Sequence, residues 1–83
     1  MQETRTFGDN LKEQMIRKNF TPTQLSRKSR YSLAAINSWL SGKTLPSLLA
    51  ACQLARVLKC HVEDLTKDIG YKDARRTEED DNV

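Results

Sequence analysis

Few residues in this sequence have types and spacing suited to site chemistry. Cys52, Cys60 and His61 are the candidate metal ligands, the last two adjacent. A closed zinc site takes about four ligands, commonly with Cys-x-x-Cys spacing. The chain offers two Cys, one His and no Cys-x-x-Cys, too few to close such a site. Packing for the cysteines, and a helix-capping or surface role for His61, outweigh metal ligation. Enzymatic chemistry is equally poorly served, with a single His, no paired carboxylates on an ordered element and no glycine-rich phosphate loop. The sequence therefore predicts no catalytic activity, no cofactor and no metal.

What remains is cation chemistry. From Arg5 to Lys59 ten Lys and Arg stand against Asp9 and Glu13, a balance of +8. From Asp73 to Val83 two Arg stand against five acidic residues, a balance of −3. A basic body suits a polyanion, because neutralising phosphates with Lys and Arg supplies most non-specific DNA affinity. The 83 residues leave room for one domain, and 37% hydrophobic with 30% charged residues is a globular composition rather than a disordered or membrane one. The start of the chain lacks the basic-then-apolar pattern of a secretory signal, and no run is apolar enough to span a bilayer. The expected location is cytoplasmic.

The elements that position these cations read as helices throughout. The first spans about Phe7 to Lys18, with Leu11, Met15 and Ile16 on one stripe. Thr21-Pro22-Thr23-Gln24 combines a capping Thr, a Pro at the first helical position and a Gln placed to complete a capping box. A short second helix to about Lys28 follows. Ser29-Arg30-Tyr31 forms a turn, Ser32 caps a third helix from Leu33 to about Ser41, and Gly42 ends it left-handed. Pro46-Ser47 restarts the chain into a fourth helix whose buried face is Leu48, Ala51, Cys52, Ala55 and Leu58, widened by Leu54. His61 caps a short fifth helix with Val62, Leu65 and Ile69 as its apolar edge. No alternating run is long enough for a strand. The organisation expected is an N-terminal arm at residues 1–6, a domain at 7–70 and a disordered charged tail at 71–83.

Two short helices joined by a tight turn, within residues 21–40, make a helix-turn-helix. In such a unit the first helix crosses the DNA backbone while the N-terminal residues of the second reach base edges in the major groove. From about Phe7 to Leu65 the chain resembles the Cro/C1-type (Xre-like) helix-turn-helix domains of phage repressors and small bacterial regulators. The matching residues are Leu25-Ser26, Ile36 with Trp39, Gly42-Lys43, Pro46-Ser47, Leu54-Ala55 with Leu58, and Val62-Glu63-Asp64-Leu65. The resemblance implies an all-α, compact five-helix fold of the lambda-repressor-like type and binding to double-stranded DNA.

By the same resemblance, the base-reading positions fall on Leu33, Ala34 and Ser38, flanked by Ser32 and Asn37. Leu33 and Ala34 lack the bidentate groups that read adenine or guanine, so they suit thymine methyls, while Asn37 and Ser38 can hydrogen-bond. The phosphate-binding positions fall at the start of the second helix, where Thr21 and Thr23 offer donors, and in the loop after the third, on Ser41, Lys43 and Thr44. Arg27, Lys28 and Arg30 add nearby charge, and Tyr31 is placed to reach a phosphate. Trp39, at helical spacing from Ile36, reads as core.

Three departures from the family pattern stand out. Pro22 replaces a usual Gln and has neither amide hydrogen nor side-chain donor. Arg30 stands where many members place a left-handed Gly, so either the turn is strained or its path shifts by a residue. Met15 and Leu40 occupy positions the family often gives to an Arg and a Glu, an exchange that predicts Met15 packed on Leu40. The function expected is a sequence-specific transcriptional regulator, a repressor on a palindromic operator bound as a homodimer. Val62, Leu65 and Ile69 serve either as the dimer contact or as the lid of the monomer's core. A different reading is an antitoxin-like interaction module that engages a protein partner through the acidic stretch at 77–81.

Overall fold

The computed structural model describes residues 5–69. The expected charged tail lies outside the described residues. Five helices follow one another as α1 (Phe7–Arg17), α2 (Pro22–Ser29), α3 (Leu33–Ser41), α4 (Leu48–Leu58) and α5 (Val62–Thr66), and the fold is all-α. The extended element among the described residues is an isolated bridge between Arg5 and Ile69. Helix α1 packs on α3 and α5, α2 packs on α3 and α4, and α4 packs on α5. Phe7, Leu11, Met15, Leu25, Ile36, Trp39, Leu54, Leu58 and Leu65 fill the centre.

Side chains fix most of the helix starts. Thr6 and Asp9 form a capping box on α1, and Thr21 and Gln24 form one on α2 with Pro22 in the first turn. Ser32 accepts from the Ala35 amide at 3.0 Å, and Ser47 accepts from the Ala50 amide at 3.1 Å. At α5 the reciprocal half of the box is present, the His61 amide donating to the Asp64 carboxylate at 3.0 Å. Each such bond satisfies an amide that a helix start leaves without an internal partner. Arg30, Gly42 and Lys59 end α2, α3 and α4 in the left-handed region, at φ 69°, 85° and 56°. The turn therefore keeps the family path, with Arg30 carrying the left-handed conformation.

Four expectations change. Ile16 is 69% exposed, because α1 buries the face of Phe7, Leu11 and Met15 together with polar Asn10 and Gln14. In α4 the buried face is Ala50, Ala51, Leu54, Ala55 and Leu58, while Leu48 is 77% exposed and Cys52 is exposed. The small side chains at 50 and 51 face the core, and the leucines before them face out. Ile69 lies beyond the end of α5 and not on its edge, half-buried against the core beside Arg5. Arg5 and Thr6 belong to the folded unit, Arg5 through its bonds to Asn10, Glu13 and the Asp68 carbonyl. Met15 is buried and Leu40 half-buried against the same core, both apolar.

Candidate nucleic-acid interface

Helix α3 buries Ile36 and Trp39 and turns its opposite side outward. On that side Leu33 is 41% exposed, and Ser32, Ala34 and Asn37 are exposed. The exposed side begins at the N-terminal turn, the end that enters the major groove in a helix-turn-helix. Ser32 has its hydroxyl engaged as the cap, so it fixes the helix start as well as facing out.

Ser38 is half-buried, and its hydroxyl shares a 2.8 Å hydrogen bond with that of Thr44. The Ser38 carbonyl also accepts from the Lys43 amide at 3.0 Å and from the Ser41 hydroxyl at 3.2 Å. These bonds fold the loop after α3 back onto the helix. A shallow depression results, lined by Ala34, Asn37, Ser38, Ser41 and Lys43. The structure thus brings three of the five expected base-reading residues together with two of the expected phosphate-binding ones. Sequence spacing carried no sign of the Ser38–Thr44 bond, which depends on the left-handed Gly42 reversing the chain.

The other expected phosphate-binding residues are arranged around this depression less uniformly. Thr21, Thr23, Arg27, Arg30 and Thr44 are exposed. Tyr31 is half-buried, its ring set edge-on to Trp39 with centroids 5.4 Å apart, and its carbonyl accepts from the Ser26 hydroxyl at 2.7 Å. That packing makes Tyr31 first a brace of the turn. Lys28 is exposed but lines a different groove, with Lys18, Arg56 and Lys59 around an apolar floor of Phe20, Val57 and Leu58. Buried Ser29, missed by sequence reasoning, donates nothing outward; its hydroxyl accepts from the Tyr31 amide at 3.2 Å inside the turn.

The electrostatics are one-sided. Between Glu13 and Glu63 the chain has no carboxylate side chain, while Arg17, Lys18, Arg27, Lys28, Arg30, Lys43, Arg56 and Lys59 all fall within that span. Glu13 itself is occupied, at 2.7 Å from Arg5 and 3.4 Å from Arg17. Among the described residues no carboxylate stands within 4.0 Å of Arg27, Lys28, Arg30 or Lys43. Exposed cations without a carboxylate partner, Lys43 beside α3 among them, are suited to phosphates flanking a groove.

At the other candidate chemistry, burial and the nearby Asp64 push the Cys60 thiol up, partly opposed by Lys18. Among the described residues no three His, Cys, Asp or Glu gather as a metal site. No helix among them is long and apolar enough to cross a membrane.

Of the residues expected at a dimer contact, Leu65 is fully buried within the monomer. Val62 and Ile69 are half-buried against the same core. Helix α5 therefore closes the monomer, and Leu65 is unavailable to a partner.

A comparison with curated proteins gives no match. The family model described as helix-turn-helix, of the Cro/C1 type, matches residues 11–65, which spans all of α2, α3 and α4 and most of α1 and α5. With well over half its length inside that match, the chain belongs to the Cro/C1-type helix-turn-helix family of DNA-binding regulatory domains.

Proposed function

We propose that this protein is a sequence-specific transcriptional repressor, acting in the cytoplasm on double-stranded DNA with a palindromic operator that it binds as a homodimer. The observation that carries the reading is the outward face of α3, with Leu33, Ala34 and Asn37 exposed beside half-buried Ser38, together with Arg27, Arg30 and Lys43, which among the described residues have no carboxylate within 4.0 Å. Two kinds of contact divide the work. Arg27, Arg30 and Lys43, with the hydroxyls of Thr21, Thr23, Ser41 and Thr44, hold the phosphates and set register. Leu33 and Ala34 meet thymine methyls, and Asn37 with Ser38 offers the hydrogen-bonding groups. With so few bidentate groups, DNA shape and deformability contribute the remaining discrimination. Since Ser38 is bonded to Thr44, a base contact at Ser38 and a phosphate contact in the loop are mechanically coupled.

Selection from a random duplex pool tests this directly. It should enrich one inverted repeat, bound on the order of a thousandfold or more tighter than random DNA at physiological salt. Lys43→Ala should weaken binding to selected and random duplexes alike and lower the salt slope by about one. Ala34 and Ser38 substitutions should instead change the sequence enriched. A pool that emerges without enrichment would sink the proposal.

A further inference from the structure

Four cations converge on one groove that no residue of α3 lines. Lys18 after α1, Lys28 in α2, Arg56 in α4 and Lys59 at its end surround an apolar floor that includes Phe20 and Val57. All four cations are exposed, while Phe20 and Val57 are half-buried. Among the described residues no carboxylate stands within 4.0 Å of any of the four. The Lys18 ammonium donates to the Lys59 carbonyl at 3.3 Å, a bond that fixes its position without cancelling its charge. The depression beside α3 is lined by a single cation, Lys43. Like charges gathered over an apolar floor repel one another until an anion joins them.

We propose that this groove seats the chain's own acidic run, Glu78-Glu79-Asp80-Asp81. Charge complementarity selects it, four consecutive carboxylates against four converging cations. The apolar floor keeps water from one side of the pairs and so weakens their screening. Reach permits it. Ile69 bridges to Arg5, just before α1, whereas Lys18 follows the other end of that helix. The two ends are about 20 Å apart at the helical rise. Residues 70–77 span up to roughly 27 Å when extended, so the run arrives with slack. A tether that short holds the run at an effective concentration on the order of millimolar. An acidic peptide from outside must exceed that to displace it, which favours the chain's own segment over a foreign one.

The seat itself does not depend on the DNA reading, but its consequence does. A seated run withdraws Lys18, Lys28, Arg56 and Lys59 from phosphate and leaves Arg27, Arg30 and Lys43 open to it. A duplex is then discouraged from lodging on the groove side, where no α3 residue can meet a base edge.

The test treats the unmodified full chain, without DNA, with a water-soluble carbodiimide, which joins a carboxylate to an amine in contact with it. Peptide mass spectrometry should find residues 78–81 linked to Lys18, Lys28 and Lys59 several-fold more often than to Lys12. Lys12 is the internal control, being exposed and nearer the tether but outside the groove. The links should fade in about 1 M salt, where charges are screened beyond roughly 3 Å. Mixing isotopically heavy and light chains separates links within one chain from links between two. Absent links, links as frequent at Lys12, or links chiefly between heavy and light chains overturn the proposal, the last by placing the run of a second copy in the groove. Duplex binding gives an independent reading. Glu78→Gln/Glu79→Gln/Asp80→Asn/Asp81→Asn should raise the salt slope for random duplex by about one or more, as groove cations become open to phosphate. The rise should be absent when Lys18→Gln/Lys59→Gln is also present. An equal rise in both backgrounds means that the run acts only as diffuse charge, and overturns the seat. Groove links in a chain that binds no duplex refute the DNA reading and leave the seat standing.

Discussion

The α1–α5 seam and the α2–α3 surface are built from the same residue types but use their charges in opposite ways. At the seam, cations are consumed internally. Glu13 collects Arg5 at 2.7 Å, Arg17 at 3.4 Å and Lys67 at 4.0 Å, and Arg5 also bonds to Asn10. The fully buried Asn10 donates at 2.9 Å to the Leu65 and Lys67 carbonyls, tying α1 to the end of α5. Around α3 the cations meet no carboxylate, and the polar side chains are spent on caps and the turn. Free charge therefore marks the side open to a partner. A charge already satisfied within the fold offers little to phosphate, whereas an unpaired one releases counterions when phosphate arrives.

The largest effect that would sharpen this contrast is expected at Asn10. Asn10→Ala removes the donor shared by two carbonyls at the seam and leaves a void where a fully buried side chain stood. Unsatisfied buried carbonyls and lost packing together should cost about 2–4 kcal/mol of stability. Thermal or urea unfolding reads that loss. Binding of the still-folded fraction to random duplex should keep its salt slope, because no phosphate-facing group has changed. A reduced slope would mean that the seam is part of the DNA surface.

A smaller effect is expected at the hub. Glu13→Gln releases Arg5, Arg17 and Lys67 from their shared carboxylate. Partly exposed pairs contribute little, so stability should fall by roughly 0.5–1 kcal/mol. Net charge rises by one, yet none of the freed cations lines the depression beside α3. Random-duplex affinity should therefore gain far less than the loss caused by Lys43→Ala.

The starts of α2 and α3 and the left-handed end of α3 were legible in the sequence, and the seam was not, for a physical reason. Thr21 with Gln24, Ser32 and Gly42 act through bonds to backbone a few residues away, so local spacing is enough to place them. Asn10 acts on carbonyls more than fifty residues distant, and nothing in local spacing separates it from a solvated Asn. Gly8 is hidden in the same way. A Cβ there would stand 2.6 Å from the Trp39 carbonyl oxygen, so its absence lets α1 approach the end of α3. The apolar run at residues 48–52 failed differently. Five successive apolar positions fit several helical faces equally, and only the packing of Ala50 and Ala51 against the core turned Leu48, Leu49 and Cys52 outward. The exposed leucines were thus readable as apolar but not as free.

The smallest expected effect lies where the two regions' logics conflict, at Arg30. Its φ of 69° is a conformation that glycine adopts without cost and a side chain adopts at about 1 kcal/mol. Glycine loses more chain freedom on folding, so Arg30→Gly should stabilise the fold by only about 0.5 kcal/mol net. The same change deletes an exposed cation beside the turn into α3. If that cation meets a phosphate, the salt slope for duplex binding should fall by about one while the melting temperature rises. Gains in stability and losses in DNA affinity from one substitution would show that this turn retains its strain for its charge. A variant that is more stable and binds DNA unchanged would instead place Arg30 outside the phosphate-binding set and confine that set to Arg27, Lys43 and the hydroxyls around α3.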